Sequence, residues 1–97
     1  MKKHITQELP FRSKLEMLKD IATAIDSLHR GKRDSIDQAL KSLKSRALFL
    51  DPVIQQDVLM FSEQIAFQYD YDNWHLITKE VQQAADQLIE DLGFHLG

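Results

Sequence analysis

The four histidines, His4, His29, His75 and His95, are the side chains best suited to hold a metal or to move a proton near neutral pH, yet no two of them stand three or four residues apart. A helical metal site needs ligands that converge on one face, and neither an HExxH nor an ExxH element is present. These histidines are expected as helix-end caps or solvated residues. Asp70-Tyr71-Asp72-Asn73 opens like a calcium-binding loop, but Trp74 stands at the fifth ligand position, His75 where the bending glycine belongs and Val81 in place of the bidentate glutamate. A capped turn is the better reading of that stretch. Ser35, Ser42 and Ser45 have no base at suitable spacing, and there is no nucleophile elbow, phosphate-cradling loop or dinucleotide fingerprint. The expectation is a non-enzymatic protein with no catalytic residue, no metal and no cofactor.

Two clusters are better suited to binding than to reaction. His29, Arg30, Lys32 and Arg33, followed by Lys41, Lys44 and Arg46, form a basic patch that would attract an anion, a nucleic acid or an anionic lipid. The acidity of the whole chain and the lack of aromatic residues among those cations speak against nucleic acid. A solvated face is the simpler reading of this patch. The second cluster, Tyr69, Asp70, Tyr71, Asp72 and Trp74, joins apolar rings with polar tips to two acids, as a contact site for a protein partner would. The same aromatic side chains would also serve a loop wrapped over the end of a bundle.

The elements that must position these residues are helices. At 97 residues, with 43% hydrophobic and 28% charged residues, the chain has the size and balance of one globular domain, whose start, 1–8, could be flexible. It has no cysteine, so packing alone must stabilise it. Apolar residues at three- and four-residue steps predict a first helix over about 9–30, carrying Phe11, Leu15, Leu18, Ile21, Ala22, Ile25 and Leu28, with Pro10 in its first turn and Gly31 ending it. Asp34 is the expected N-cap of a second helix with Ile36, Leu40, Leu43, Ala47 and Leu50 as its seam, broadened by Ala39 and Leu48. Asp51-Pro52 breaks it and starts a third, to about Gln68, with Ile54, Val58, Phe61 and Ile65 inside and Val53, Leu59, Met60 and Phe67 at the flanks. So apolar a helix is either the most central or the bearer of an interaction surface. A fourth helix is predicted over 74–92, capped by Asp72 or Asn73, with Trp74, Ile77, Val81, Ala84, Leu88 and Leu92 in register, Ala85 and Ile89 beside them, and a Schellman closure at Gly93. Short connections make the expected fold an all-α, antiparallel up-down-up-down four-helix bundle.

Charge is polarised along the chain. Residues 1–48 carry eleven Lys and Arg against six acids, whereas residues 49–97 carry one Lys against nine, so a net charge of −3 hides a basic half and an acidic half. Helices lying side by side would neutralise the two halves; otherwise each half is displayed to partners. The longest apolar runs, 47–50 and 58–61, are far too short for membrane insertion, and charged residues over 12–19 leave no room for a signal-peptide core, so a cytoplasmic protein is expected.

This arrangement resembles the small bacteriocin immunity proteins, in particular the enterocin A immunity type. The resemblance rests on length, four helices, a leucine-rich second helix running into Leu50-Asp51-Pro52, a tyrosine-containing third connection and a long last helix. It implies an intracellular, non-catalytic bacterial protein that recognises a membrane sugar-transporter receptor with a pore-forming bacteriocin bound. Separately, a monomer or weak dimer is expected. Specificity would lie in the C-terminal part. The competing expectation is a small helical adaptor or regulatory protein working through protein–protein contacts.

Overall fold

The structure, a computed structural model, describes residues 2–70 and 77–94, with the backbone alone over 2–10. Four helices occupy the described residues, α1 (Lys2–Arg30), α2 (Arg33–Ala47), α3 (Pro52–Asp70) and α4 (Lys79–Asp91), and no strand is among them. The fold is all-α, as the apolar periodicity predicts.

Helix ends follow local chemistry. Gly31 takes φ 69°, which a side-chain-bearing residue rarely adopts, and the N–H groups of Gly31 and Lys32 donate to the carbonyls of Leu28 and Ser27 at 3.0 and 2.9 Å. That closure leaves only Gly31 and Lys32 between the helices. Because the Lys32 carbonyl already accepts from Ile36 N–H, α2 starts at Arg33 with Lys32 at its N-cap position. Asp34, expected as the cap, is instead inside the first turn, where its charge still favours the positive pole of the helix. Asp51 does cap α3, its Oδ1 accepting from Val53 N–H at 2.9 Å. Gly93 (φ 99°) and Phe94 donate to Glu90 and Ile89, the Schellman closure expected after α4.

Two further helix starts differ from the sequence reading. α1 begins at Lys2, so Pro10 stands inside the helix rather than in its first turn, and its missing N–H removes one ladder bond there. α4 begins at Lys79, not near 74, because Thr78 holds an extended conformation (φ −68°, ψ 159°) and its Oγ1 accepts from Val81 N–H at 3.2 Å. Asp72 and Asn73, the expected caps, lie outside the described residues.

The core is one cluster fed by all four helices: Met17, Ile21, Ala24 and Leu28 from α1, Ile36, Ala39, Leu40, Leu43 and Ala47 from α2, Ile54, Val58, Phe61 and Ile65 from α3, then Val81, Ala85, Leu88 and, just past α4, Leu92. In α1 the buried stripe is turned from the expected one. Met17 and Ala24 are fully buried, while Phe11, Leu15 and Ala22 are exposed. Leu48, expected to broaden the α2 seam, is exposed because α2 ends one residue before it. Leu50 still packs against the core from the turn.

α1 packs most extensively on α2, and α3 on α4. The Ser42 hydroxyl donates to Asp20 Oδ2 at 2.6 Å, each residue about ten positions from the first turn, so α2 folds back along α1. Asp57 and Asp91 meet across α3 and α4 at similar remove from the last connection. The two hairpins join mainly through α2 and α3, so the outer side of α3 is left open.

Candidate functional site

α3 is apolar on two sides, and only one of them is used by the core. Ile54, Val58, Phe61 and Ile65 point inward, while Val53, Leu59, Met60 and Phe67 stay about half exposed or more, from 48% to 60%. Val53, Met60 and Phe67 are seven residues apart, two helical turns each, so they stack into one straight stripe. Leu48 and Phe49, at 70% and 87% exposure, extend apolar surface into the α2–α3 turn. Burying this surface would be favourable at roughly 25 cal/mol per Å², and contiguous apolar patches of that kind on a soluble domain mark contact sites.

Beside Leu59 runs a groove of about 630 Å³ between α2 and α3. Lys41 and Lys44 of α2, with Leu48 just past its end, form one wall; Leu59, Glu63 and Ala66 of α3 form the other. At its base Ser62 is 5% exposed, and its hydroxyl has no hydrogen-bond partner. A polar atom left so costs on the order of 1–3 kcal/mol.

The basic patch expected from sequence is divided between two places. Lys41 and Lys44 stand in the groove, one helical turn apart and both exposed. Arg30, Lys32 and Arg33 gather at the α1–α2 turn, where Arg30 pairs with Asp26 at 3.1 Å and Arg33 with Asp37 at 3.4 Å. Arg33 also stacks over the Tyr69 ring at 5.2 Å, and the two line a shallow cleft of about 350 Å³ with Lys32 and Ser35. One member of the basic patch and one of the aromatic cluster are thus brought together. Tyr69 packs against the core from the end of α3, while Asp70 beside it is exposed. Tyr71, Asp72 and Trp74, the rest of the predicted partner site, lie outside the described residues. Both ion pairs among the described residues join neighbours four apart within a helix, and none bridges the basic and acidic halves.

Asp57 and Asp91 form a carboxyl pair that the sequence gives no means of seeing, since they lie 34 positions apart. Burial, then the hydrogen bond and charge of Asp91, push Asp57 up to about 7 from 3.8. Asp91 is held below its ordinary value by the Asp57 hydrogen bond and by Gln87, whose Nε2 donates at 3.1 Å. Asp57 Oδ2 is buried without a geometric partner when both groups are carboxylates, because neither can donate. A proton on Asp57 supplies the missing donor. The pair lines neither the groove nor the cleft, so its place is structural, tying α3 to α4.

Among the described residues no cluster of three or more His, Cys, Asp or Glu could hold a metal ion, and no helix is long and apolar enough to cross a membrane. The chain matches no family model, no curated protein and no solved structure. The open side of α3, with the groove next to it, is therefore the best-built candidate site.

The sequence places Val53, Leu59, Met60 and Phe67 on the flanks of α3 and offers an interaction surface there as one of two readings of that helix, while the named partner-site residues fall on the connection after it. The available signal was the exact seven-residue recurrence of Val53, Met60 and Phe67 on a helix that already had a complete inner face.

Proposed function

We propose that this chain is a non-catalytic helical module that acts by binding another protein, with the open side of α3 and the adjoining groove as its contact surface. The observation that carries this reading is the second apolar stripe of α3, left in solvent while the core is satisfied by the first. Asp70 stands exposed at the end of α3, and Lys41 and Lys44 give the rim of the groove a charge. Aromatic and aliphatic side chains ringed by charges are the anatomy of a contact patch.

The resemblance to the enterocin A immunity type gives the proposal its most specific form. The protein would act in the cytoplasm of a bacterial producer cell, recognising a membrane sugar-transporter receptor engaged by a pore-forming peptide. The test is survival: a sensitive strain expressing this chain, challenged with a panel of pediocin-like peptides, is expected to tolerate at least one. Met60→Asp, which puts a charge in the middle of the stripe at a half-exposed position, is expected to abolish that tolerance while leaving the circular dichroism melt close to that of the parent. Protection against none of the peptides would leave the adaptor reading, in which the same surface binds a different cellular protein. Protection undiminished by Met60→Asp would move the contact surface away from α3.

A further inference from the structure

The turn between α2 and α3 carries the most exposed ring of the described residues, and cations surround it. We infer that this end of the molecule docks on an anionic lipid surface, with Phe49 entering the headgroup region and the Lys and Arg side chains of α1 and α2 beside it meeting lipid phosphates. The inference goes beyond the contact surface on α3, because Phe49, Phe11 and Leu15 belong neither to the groove nor to the stripe of Val53, Met60 and Phe67.

The turn is firmly built. Phe49 N–H donates to the Arg46 carbonyl at 3.3 Å and Leu50 N–H to the Ala47 carbonyl at 3.0 Å. Gln55 Nε2 donates to the Leu50 carbonyl at 2.9 Å, and Asp51 caps α3 directly after it. Leu50 turns in to pack on the core, which leaves Leu48 and Phe49 outside at 70% and 87% exposure. Packing therefore gives no reason for a ring at position 49. Single exposed apolar residues are ordinary, but here others share the same end. The Ser42–Asp20 hydrogen bond sets the level of α1 against α2, so Leu15 stands level with Ala47 and Phe11 about one turn past the end of α2. Both are exposed. A projecting ring on a fixed backbone suits a bilayer interface, which receives an apolar side chain without offering a matching pocket.

Charge selects which surface it meets. Residues 11–16 and 44–50, the parts of α1 and α2 nearest this tip, carry Arg12, Lys14, Lys44 and Arg46 against one acid, Glu16. None of the four cations is in an ion pair among the described residues. Asp51 spends its Oδ1 on Val53 N–H, and Glu90 and Asp91 reach this end on α4, whose extensive packing is on α3. Exposed charges act over roughly 10 Å at 0.1 M salt, so the local cationic excess, and not the net charge of the chain, decides what the tip attracts. Apolar side chains flanked by Lys and Arg are the features by which a protein lies on anionic lipid without spanning it.

The chain has no cysteine, so Phe49→Cys places a polarity-sensitive dye at the tip alone. With the full-length chain on vesicles of phosphatidylcholine mixed with phosphatidylglycerol, at low salt, the emission of this dye is expected to shift to the blue. The same dye on Gln83→Cys, at an exposed position of α4, is expected to stay in water. Flotation of the unlabelled chain should show binding to these vesicles and at least tenfold weaker binding to phosphatidylcholine alone. Phe49→Ser and Lys44→Glu, both at exposed positions, should each weaken binding about tenfold with an unchanged circular dichroism melt. Met60→Asp should bind vesicles as the parent does. The inference is overturned by absence of binding to the anionic vesicles, by equal binding to the neutral ones, or by a dye at position 49 that stays in water on vesicle-bound protein. Tolerance in cells that is lost in Phe49→Ser, in a chain that floats with no vesicle, would make the tip a protein contact and overturns it equally. None of these outcomes bears on the α3 surface, which stands or falls with Met60→Asp in the survival assay.

Discussion

At the scale of single residues, the most informative group is Asp57, a carboxyl pressed against another carboxyl. Its value in the fold, about 7, lies above the 3.8 of an ordinary aspartate, so the folded chain binds this proton more tightly than the unfolded chain does. The stability that follows is fully present below 3.8 and is lost as pH rises through about 7. Asp91 is shifted the other way, and its contribution is present above its unfolded value and lost as pH falls through the depressed one. The pair is best satisfied with one proton, on the acid side of neutrality. Thermal melts followed by circular dichroism are expected to show a falling melting temperature between pH 5 and pH 8, roughly the interval over which Asp57 loses its proton. Asp57→Asn carries a permanent donor toward Asp91 and is expected to flatten that slope and to melt higher than the parent at pH 8. An unchanged slope in the variant would show that the pair does not titrate in this way.

At the scale of elements, α4 shows what periodicity conveys and what it conceals. Val81, Leu88 and Leu92 are buried as the three-four spacing predicts, and the stop at Gly93 is closed by the expected backbone bonds. The start is not visible in that pattern, because Ile77 stays in phase with the stripe although it precedes the helix. What decides the boundary is one hydroxyl: Thr78 occupies the cap and Glu80 follows in the first turn, a local signal that the longer apolar rhythm outweighs on reading. Thr78→Ala is therefore expected to cost about 1 kcal/mol in urea unfolding, with Thr78→Ser close to neutral. Equal stability of all three proteins would mean that Gln68, whose Oε1 accepts from Thr78 N–H at 3.0 Å, fixes this end without the hydroxyl. α1 has the opposite problem. Apolar residues cover a wide arc of it, so the side that faces the core, Met17, Ile21, Ala24 and Leu28, is chosen by what α2 offers and not by α1 alone. The Asp57–Asp91 pair and the division of the basic patch were likewise illegible, since each depends on how separate helices are brought together.

At the scale of the whole molecule, the question is whether two helical hairpins make one cooperative unit. The contacts within α1–α2 and within α3–α4 are more extensive than those between the hairpins, which by itself would permit the hairpins to melt apart. Burial argues otherwise. Phe61 and Ile65 of α3 are fully enclosed in the same cluster as Met17 and Leu28 of α1 and Leu43 of α2, so removing either hairpin would expose the inner face of the other. At about 0.8 kcal/mol per buried CH₂ group, that exposure exceeds what a lone helical hairpin of this size can sustain. One transition is expected in scanning calorimetry, with the van't Hoff enthalpy equal to the calorimetric enthalpy and coincident with loss of the helical signal. Two resolved transitions, or a van't Hoff enthalpy near half the calorimetric one, would mean that the seam between α2 and α3 is too thin to couple the hairpins. The open stripe on α3 would then be the exposed edge of a unit that needs a partner to complete its fold.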